Sequence, residues 1–169
     1  MIFRETPLPG LLEVRPERSS DPRGAFFRVF CESEFAPLGF RPVQISVSEN
    51  ARRHTLRGMH WQAAPHAERK LVRCIRGAVH DVAVDLRSGA HHAVVLSAEA
   101  GNALFIPAGF AHGFLTLTDD AALEYMMDVP FAPGFGRGAR WDDRRFGIAW
   151  PAEPAVISER DATWADWDG

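Results

Sequence analysis

Two residue types occur once each in this chain, and both have proton chemistry of their own. Lys70 is the only lysine among nineteen lysines and arginines, and Tyr125 is the only tyrosine beside twelve phenylalanines and five tryptophans. Arginine does lysine's surface work elsewhere, and phenylalanine does tyrosine's packing work. A surviving lysine offers a compact ammonium, and a surviving tyrosine offers a phenol that gives or takes a proton. Compositional drift that left one of each is the competing reading. The densest polar and aromatic cluster, Leu56-Arg57-Gly58-Met59-His60-Trp61-Gln62, lies just upstream of Lys70 and supplies His60, a base that titrates near neutrality. A second cluster, Ile106-Pro107-Ala108-Gly109-Phe110-Ala111-His112-Gly113-Phe114, supplies His112.

The elements that must position these groups are short strands. Val43-Gln44-Ile45-Ser46-Val47-Ser48 alternates strictly between apolar and polar and predicts a half-buried strand. Leu71–Arg76, then Gly77, then Val79–Leu86 predicts two strands around a tight turn, and further short strands are expected at Ala93–Leu96, Leu104–Ile106, Phe114–Leu117 and Leu123–Met127. Helix is expected only near Glu32–Leu38 and after Ser158, where Ser158-Glu159-Arg160-Asp161 has the outline of a capping box. Glycine, proline and Asp-Asp punctuation at regular intervals predicts an all-β fold, an antiparallel barrel of jelly-roll type with a few short helices. With 46% apolar residues, no repeat and no linker, the chain is expected to be a single domain over residues 1–169.

Composition narrows the partners. A net charge of −3 gives no global signal for nucleic acid, and no apolar run approaches a membrane span. An early acid, two early prolines and two unlinked cysteines, Cys31 and Cys74, lead to an expected cytoplasmic location. Charge is segregated along the chain. Residues 41–76 carry Arg41, Arg52, Arg53, Arg57, Arg69, Lys70, Arg73 and Arg76 against only Glu49 and Glu68, whereas acids dominate from Asp119 onward. A basic middle suits an anionic small molecule such as a phosphate ester. A solvated strand face paired with the acidic tail accounts for it equally well.

Pro107-Ala108-Gly109-Phe110-Ala111-His112 matches the second cupin signature, whose histidine ordinarily ligates a metal. The first signature needs His-x-His followed by a glutamate, and here Gln62 follows His60 at that spacing. An amide is a poor ligand, and His91-His92 would point to opposite faces of a strand, so no metal and no cofactor is expected. The blocks Asp21-Pro22-Arg23-Gly24, Leu56–Gln62, Lys70-Leu71-Val72-Arg73, Asp81–Arg87, Ile106–Phe114, Trp141-Asp142-Asp143, Ile148-Ala149-Trp150-Pro151 and Ile157-Ser158-Glu159-Arg160-Asp161 stand in the order of the dTDP-4-dehydrorhamnose 3,5-epimerase family, which the chain resembles from about residue 20 to residue 162. That family consists of metal-free cupins.

The resemblance implies α-proton exchange beside a ketone, on a nucleotide-linked 4-keto-6-deoxyhexose with dTDP as the expected nucleotide. It makes His60 the base, Tyr125 the acid, Asp161 the carboxylate that orients the imidazole, and Lys70 the cation beside the carbonyl oxygen. A ketone α-proton is about ten pKa units above histidine, or about 14 kcal/mol, so a fixed charge at the enolate oxygen is essential. Arg57 and Arg23 would bind the diphosphate, with Arg23 reaching across from a second subunit, which implies a homodimer. Phe26 and Phe27 fall near base-stacking positions, with core packing as the rival reading, and Gln44, Ser46 and His112 fall among the substrate contacts. His112 could instead be a hydrogen-bonded core histidine, and Asp161 a first-turn helix acid.

Departures from the family pattern are Arg28 for a glutamate, Ser46 for an asparagine, Phe131 for a second tyrosine and Gly136 for a glutamate, with a shortened segment between Arg87 and Val94. They leave the nucleotide, the sugar and the number of inverted carbons open. Two other classes stay in view. A non-catalytic cupin that binds sugar nucleotides would bind without exchange, and a metal-dependent cupin oxygenase or isomerase would carry stoichiometric metal.

Overall fold

Alternating side chains become two stacked antiparallel sheets. In the computed structural model, which describes residues 1–168, the order is β1 (Ile2–Glu5), β2 (Leu12–Arg15), β3 (Arg18–Asp21), β4 (Gly24–Phe27), α1 (Glu32–Phe35) with a following 3-10 turn at Ala36–Leu38, β5 (Gln44–Asn50), β6 (Leu56–Gln62), β7 (Lys70–Arg76), β8 (Ala78–Asp85), β9 (His91–Ser97), β10 (Ala103–Ile106), β11 (Phe110–Thr116), β12 (Ala121–Met127), β13 (Gly136–Gly138) and α2 (Glu159–Ala162). One sheet runs β1-β2-β10-β7-β12-β5 and the other β13-β6-β11-β8-β9, while β3 and β4 form a separate hairpin. This is the expected jelly-roll architecture.

Three apolar clusters explain the layering. Val72, Cys74, Leu104, Ile106 and Leu123 of the six-stranded sheet meet Val79, Ala83, Leu96, Phe110 and Phe114 of the five-stranded sheet in the interior. Phe35 and Phe40, from the α1 region, cover Leu71, Phe105 and Met126 on the outside of the first sheet. The C-terminal segment lays Phe146, Ile148, Trp150 and Trp167 over Met59, Val82, Val84 and Ala111 on the outside of the second. Central strands are therefore apolar on both faces, and every residue of β11 is buried. Such strands lose the period-two signal. For that reason alternation shows only the far end of β11, and β6 reads as a chemical cluster before it reads as a strand.

The expected Glu32–Leu38 helical turn and the helix after Ser158 are both present, and the Ser158 hydroxyl accepts the Asp161 N–H at 3.1 Å, as an N-cap should. Cys31 and Cys74 are free thiols. His91 bonds the Phe146 carbonyl and His92 bonds Glu13, the divergence expected of neighbours in a strand. Much of the charge segregation dissolves on folding: Arg73 pairs with Glu124 across β7 and β12, and Arg69 with Asp128 just beyond the ends of those strands, so basic middle and acidic tail meet side by side. Among the described residues no helix is long and apolar enough to cross a membrane.

Close approach of β6 and β11 depends on two glycines. Gly58 has φ +143°, and a Cβ there would stand 2.6 Å from the Gly113 Cα; a Cβ on Gly113 would stand 2.6 Å from the Met59 sulfur. Gly58→Ala is expected to cost about 2–3 kcal/mol, or roughly 4–12 °C in Tm for a chain of this size. Gly134→Ala, with φ +88° but nothing within 4 Å of the added carbon, should lose less. Thermal unfolding of the two variants checks this, and equal losses would contradict the packing.

Candidate active site

His60 is held from behind by the C-terminal helix. Its Nε2 lies 2.7 Å from Asp161 Oδ1, and Asp161 Oδ2 accepts the Gly58 N–H at 3.2 Å. With Nε2–H given to the carboxylate, the imidazole keeps Nδ1 as its basic nitrogen. Asp161 is buried in α2, so its carboxylate is more than a helix-end acid. Burial alone would push the Asp161 carboxyl up, but the hydrogen bond and charge of His60, the Gly58 N–H and Trp164 outweigh it, and its pKa is lowered.

Lys70 opens β7 on the opposite sheet. Its Nζ is 2.8 Å from Glu68 Oε1, with side chains only 12% and 4% exposed. His60, Lys70 and Glu68 line one pocket of about 220 Å³, closed by Gln62, Met127, Phe131, Arg137 and Arg160 among others. A larger depression of about 520 Å³ along Trp141–Glu153 contains none of the expected site residues. Gln62, standing where a metal ligand was sought, is a structural brace: its amide donates to the His66 and Pro130 carbonyls and accepts the Ala132 N–H. Among the described residues no three His, Cys, Asp or Glu side chains converge as a metal site would require.

Tyr125 lies on β12, facing the interior from the sheet opposite His60, and its ring meets His112 edge-on at 5.9 Å. His112 is the register partner of His60 and bonds buried Asp81 at 2.9 Å, so it is a hydrogen-bonded interior histidine that also borders the tyrosine. Burial pushes the Tyr125 phenol well above its usual range, the Asp81 charge adds to the rise, and Ser48 and the charge of Arg57 offset only part of it. The phenol therefore keeps its proton at neutral pH.

The other expected contacts are more scattered. Gln44 accepts the Phe131 N–H at 2.9 Å and donates to Ser46, so these two residues support the loop that carries Phe131. Arg57 donates to Asn50 at 2.8 Å and opens on a separate depression of about 340 Å³. Arg23 stands on the β3–β4 hairpin, paired with Asp21, away from the pocket. Phe26 is 81% exposed, which corrects the core-packing reading of that residue; Phe27 is partly covered, under the Arg18 guanidinium. Residues missed in the sequence are Asp81, Glu68, Arg137 and Arg160. Two carried a signal: Glu68 is one of two acids in the basic middle, and Arg160 adjoins Asp161.

The family model for dTDP-4-dehydrorhamnose 3,5-epimerase matches residues 5–168. The chain is 41% identical over 173 residues to the dTDP-4-dehydrorhamnose 3,5-epimerase of Sinorhizobium fredii, covering 96% of this chain and 88% of that protein. Its structure is similar to that of the 3,5-epimerase from Elizabethkingia anophelis, with a TM-score of 0.93 and 33% identity over 99% of this chain and 96% of the other. It is also similar to a 3′-monoepimerase from Streptomyces bikiniensis in complex with dTDP-quinovose, with a TM-score of 0.87 and 33% identity over 96% and 87% of the two chains.

The lowered Asp161 pKa makes a stability prediction with a definite sign. A depressed carboxylate stabilises the fold fully above its unfolded value, near 3.8, and that contribution is lost as pH falls through the lower folded value. Wild type should therefore be more stable than Asp161→Asn at pH 7, with the gap narrowing below about pH 4. Urea unfolding of both proteins across that range measures it; a gap that widens toward acid would refute the assignment.

Proposed function

From the premise that the chain belongs to the dTDP-4-dehydrorhamnose 3,5-epimerase family, we propose that His60, Tyr125, Lys70 and Asp161 carry out its epimerisation of a dTDP-linked 4-keto-6-deoxyhexose at C3, C5 or both. What supports this assignment is that His60, hydrogen-bonded to a buried aspartate, and Tyr125, against His112, stand on facing sheets. His60 Nδ1 takes a proton from a carbon beside the C4 ketone, and the electron pair moves onto the carbonyl oxygen as an enolate. Lys70 stabilises that oxygen. Tyr125 returns a proton to the other face of the same carbon, inverting it; His60 then gives its proton to solvent and the Tyr125 phenolate takes one from solvent, which restores the starting state. Asp161 acts through His60 by fixing its tautomer and balancing the imidazolium charge.

Arg57 is suited to the diphosphate, since its guanidinium is bound only by uncharged groups, Asn50 and the Glu49 carbonyl. Arg23 and Phe26 support a role only in a second subunit, because in their own chain they sit on an exposed hairpin. β5 is the edge of its sheet, and Val43, Ile45 and Val47 on and beside it are 59%, 59% and 53% exposed. An apolar row on an open edge favours a second copy of the chain as its cover. Free thiols and a soluble sugar-nucleotide substrate suit the cytoplasm.

Wild-type protein in D2O should incorporate deuterium beside the ketone of dTDP-4-keto-6-deoxyglucose, and NMR of the product shows whether one or both carbons exchange. No exchange with the dTDP, uridine and guanosine sugars would sink the enzyme reading. Lys70→Arg retains charge but not the compact ammonium, and exchange should fall roughly hundredfold or more. Asp161→Asn should lower it by about 10²–10⁴. Sedimentation should give a dimer for wild type and a monomer for Ile45→Glu; a monomeric wild type would remove the intersubunit roles of Arg23 and Phe26.

A further inference from the structure

Glu68 is a buried carboxylate that none of the steps above uses. It lies two residues before Lys70, in the loop between β6 and β7, and is more than nine-tenths buried. Its Oε1 stands 2.8 Å from the Lys70 ammonium. Oε2 is sealed off, and neither the Trp61 indole, the Arg160 guanidinium nor any other donor of the protein reaches it. Lys70 is therefore the whole of its compensation, and a buried charge holds such a partner firmly. Lys70 in turn has nothing else to hold it. Its neighbours in the sheet are Ile106 on β10 and Met127 on β12, both apolar. Of the rest of the pocket wall, Arg137 and Arg160 repel an ammonium, the Gln62 oxygen takes the Ala132 N–H, and His60 Nε2 is given to Asp161. Among the described residues that line the pocket, Glu68 is the one carboxylate against Lys70, Arg137 and Arg160.

This inference rests on the epimerase reading, in which Lys70 faces the C4 ketone oxygen. A lysine is a compact charge on a flexible four-carbon stem, with three N–H donors that turn freely. Stabilising an enolate asks the opposite of it: a charge already in place where the oxygen will become negative. One bond to Oε1 removes that freedom and leaves two donors for a bound carbonyl oxygen. We propose that Glu68 is a positioning residue, which tethers the Lys70 ammonium beside the place where the enolate oxygen forms. It acts through Lys70 and touches neither the sugar nor the nucleotide.

The test is a double-mutant cycle on kcat and KM for deuterium exchange with dTDP-4-keto-6-deoxyglucose, in wild type, Glu68→Leu, Lys70→Met and the double variant, with Glu68→Gln beside them. Glu68→Leu fills the same space without an oxygen. It should lower kcat by roughly tenfold to a hundredfold, the range of a hydrogen bond to a charged group, and leave KM within about threefold. Glu68→Gln still offers the ammonium an oxygen and should recover kcat to within about fivefold of wild type. Once Lys70 is Met, removing Glu68 should change kcat by less than about threefold. Losses that multiply in the double variant overturn the proposal, because Glu68 would then act independently of Lys70. So does a Glu68→Leu enzyme with wild-type kcat, or a loss that glutamine does not repair. Glu68→Asp, one methylene short of the ammonium, should lose kcat as well, and it takes the place of Glu68→Leu in the cycle if that protein does not fold. If wild type exchanges no deuterium, the epimerase reading itself has failed, a result distinct from any ratio among the variants.

Discussion

Asp161 is a buried carboxylate, and a buried carboxylate must be paired. Its partners come from one strand: the His60 imidazole on one oxygen and the Gly58 N–H on the other. That pair of bonds pins α2 onto β6 and orients the His60 ring. On its other side β6 comes close to β11, which glycine at positions 58 and 113 permits. Any side chain at either position would push the strand outward and misplace His60 along with it. The C-terminal segment thus contributes the carboxylate partner of His60 as well as an outer cover for the second sheet.

Opposite this unit, the six-stranded sheet supplies the remaining groups. Lys70, at the start of β7, and Tyr125, on β12, belong to neighbouring strands whose inward faces look across at His60 and His112. A sheet can place side chains from distant parts of the sequence at adjacent register positions with little freedom left to them, which is what a proton-transfer site needs. Tyr125 gains a second property from this location. Walled in beside Asp81, its phenol holds its proton more tightly than it would in water.

The same geometry bears on what the enzyme accepts. Phe131 closes the pocket, and Gln44 holds the loop that carries it through a bond to the backbone. The rim is therefore apolar at that point, and Tyr125 is the one phenol in the chain. Relatives include both 3,5-epimerases and 3-epimerases, so one inverted carbon and two are both within the reach of this scaffold.

Sequence alone determined the jelly-roll class, most of its strands and both helical turns, and it singled out the four residues proposed for proton transfer. These were legible because alternation marks half-buried strands such as β5, and because a lone lysine, a lone tyrosine and the motifs around His60 and Asp161 are local features. Tertiary structure alone decided the rest. Strands buried on both faces, β6 and β11 above all, have no alternation to read. The partner of a charge is a matter of which strands become neighbours: Arg73 meets Glu124 far along the chain, whereas Lys70 meets Glu68 two residues away. Whether an oxygen of Glu68 is left without a donor depends on every group packed around it at once, and no local pattern encodes that. Phe26 makes the same point in reverse, since an apolar residue in a strand reads as core until the fold shows that no core lies beneath it.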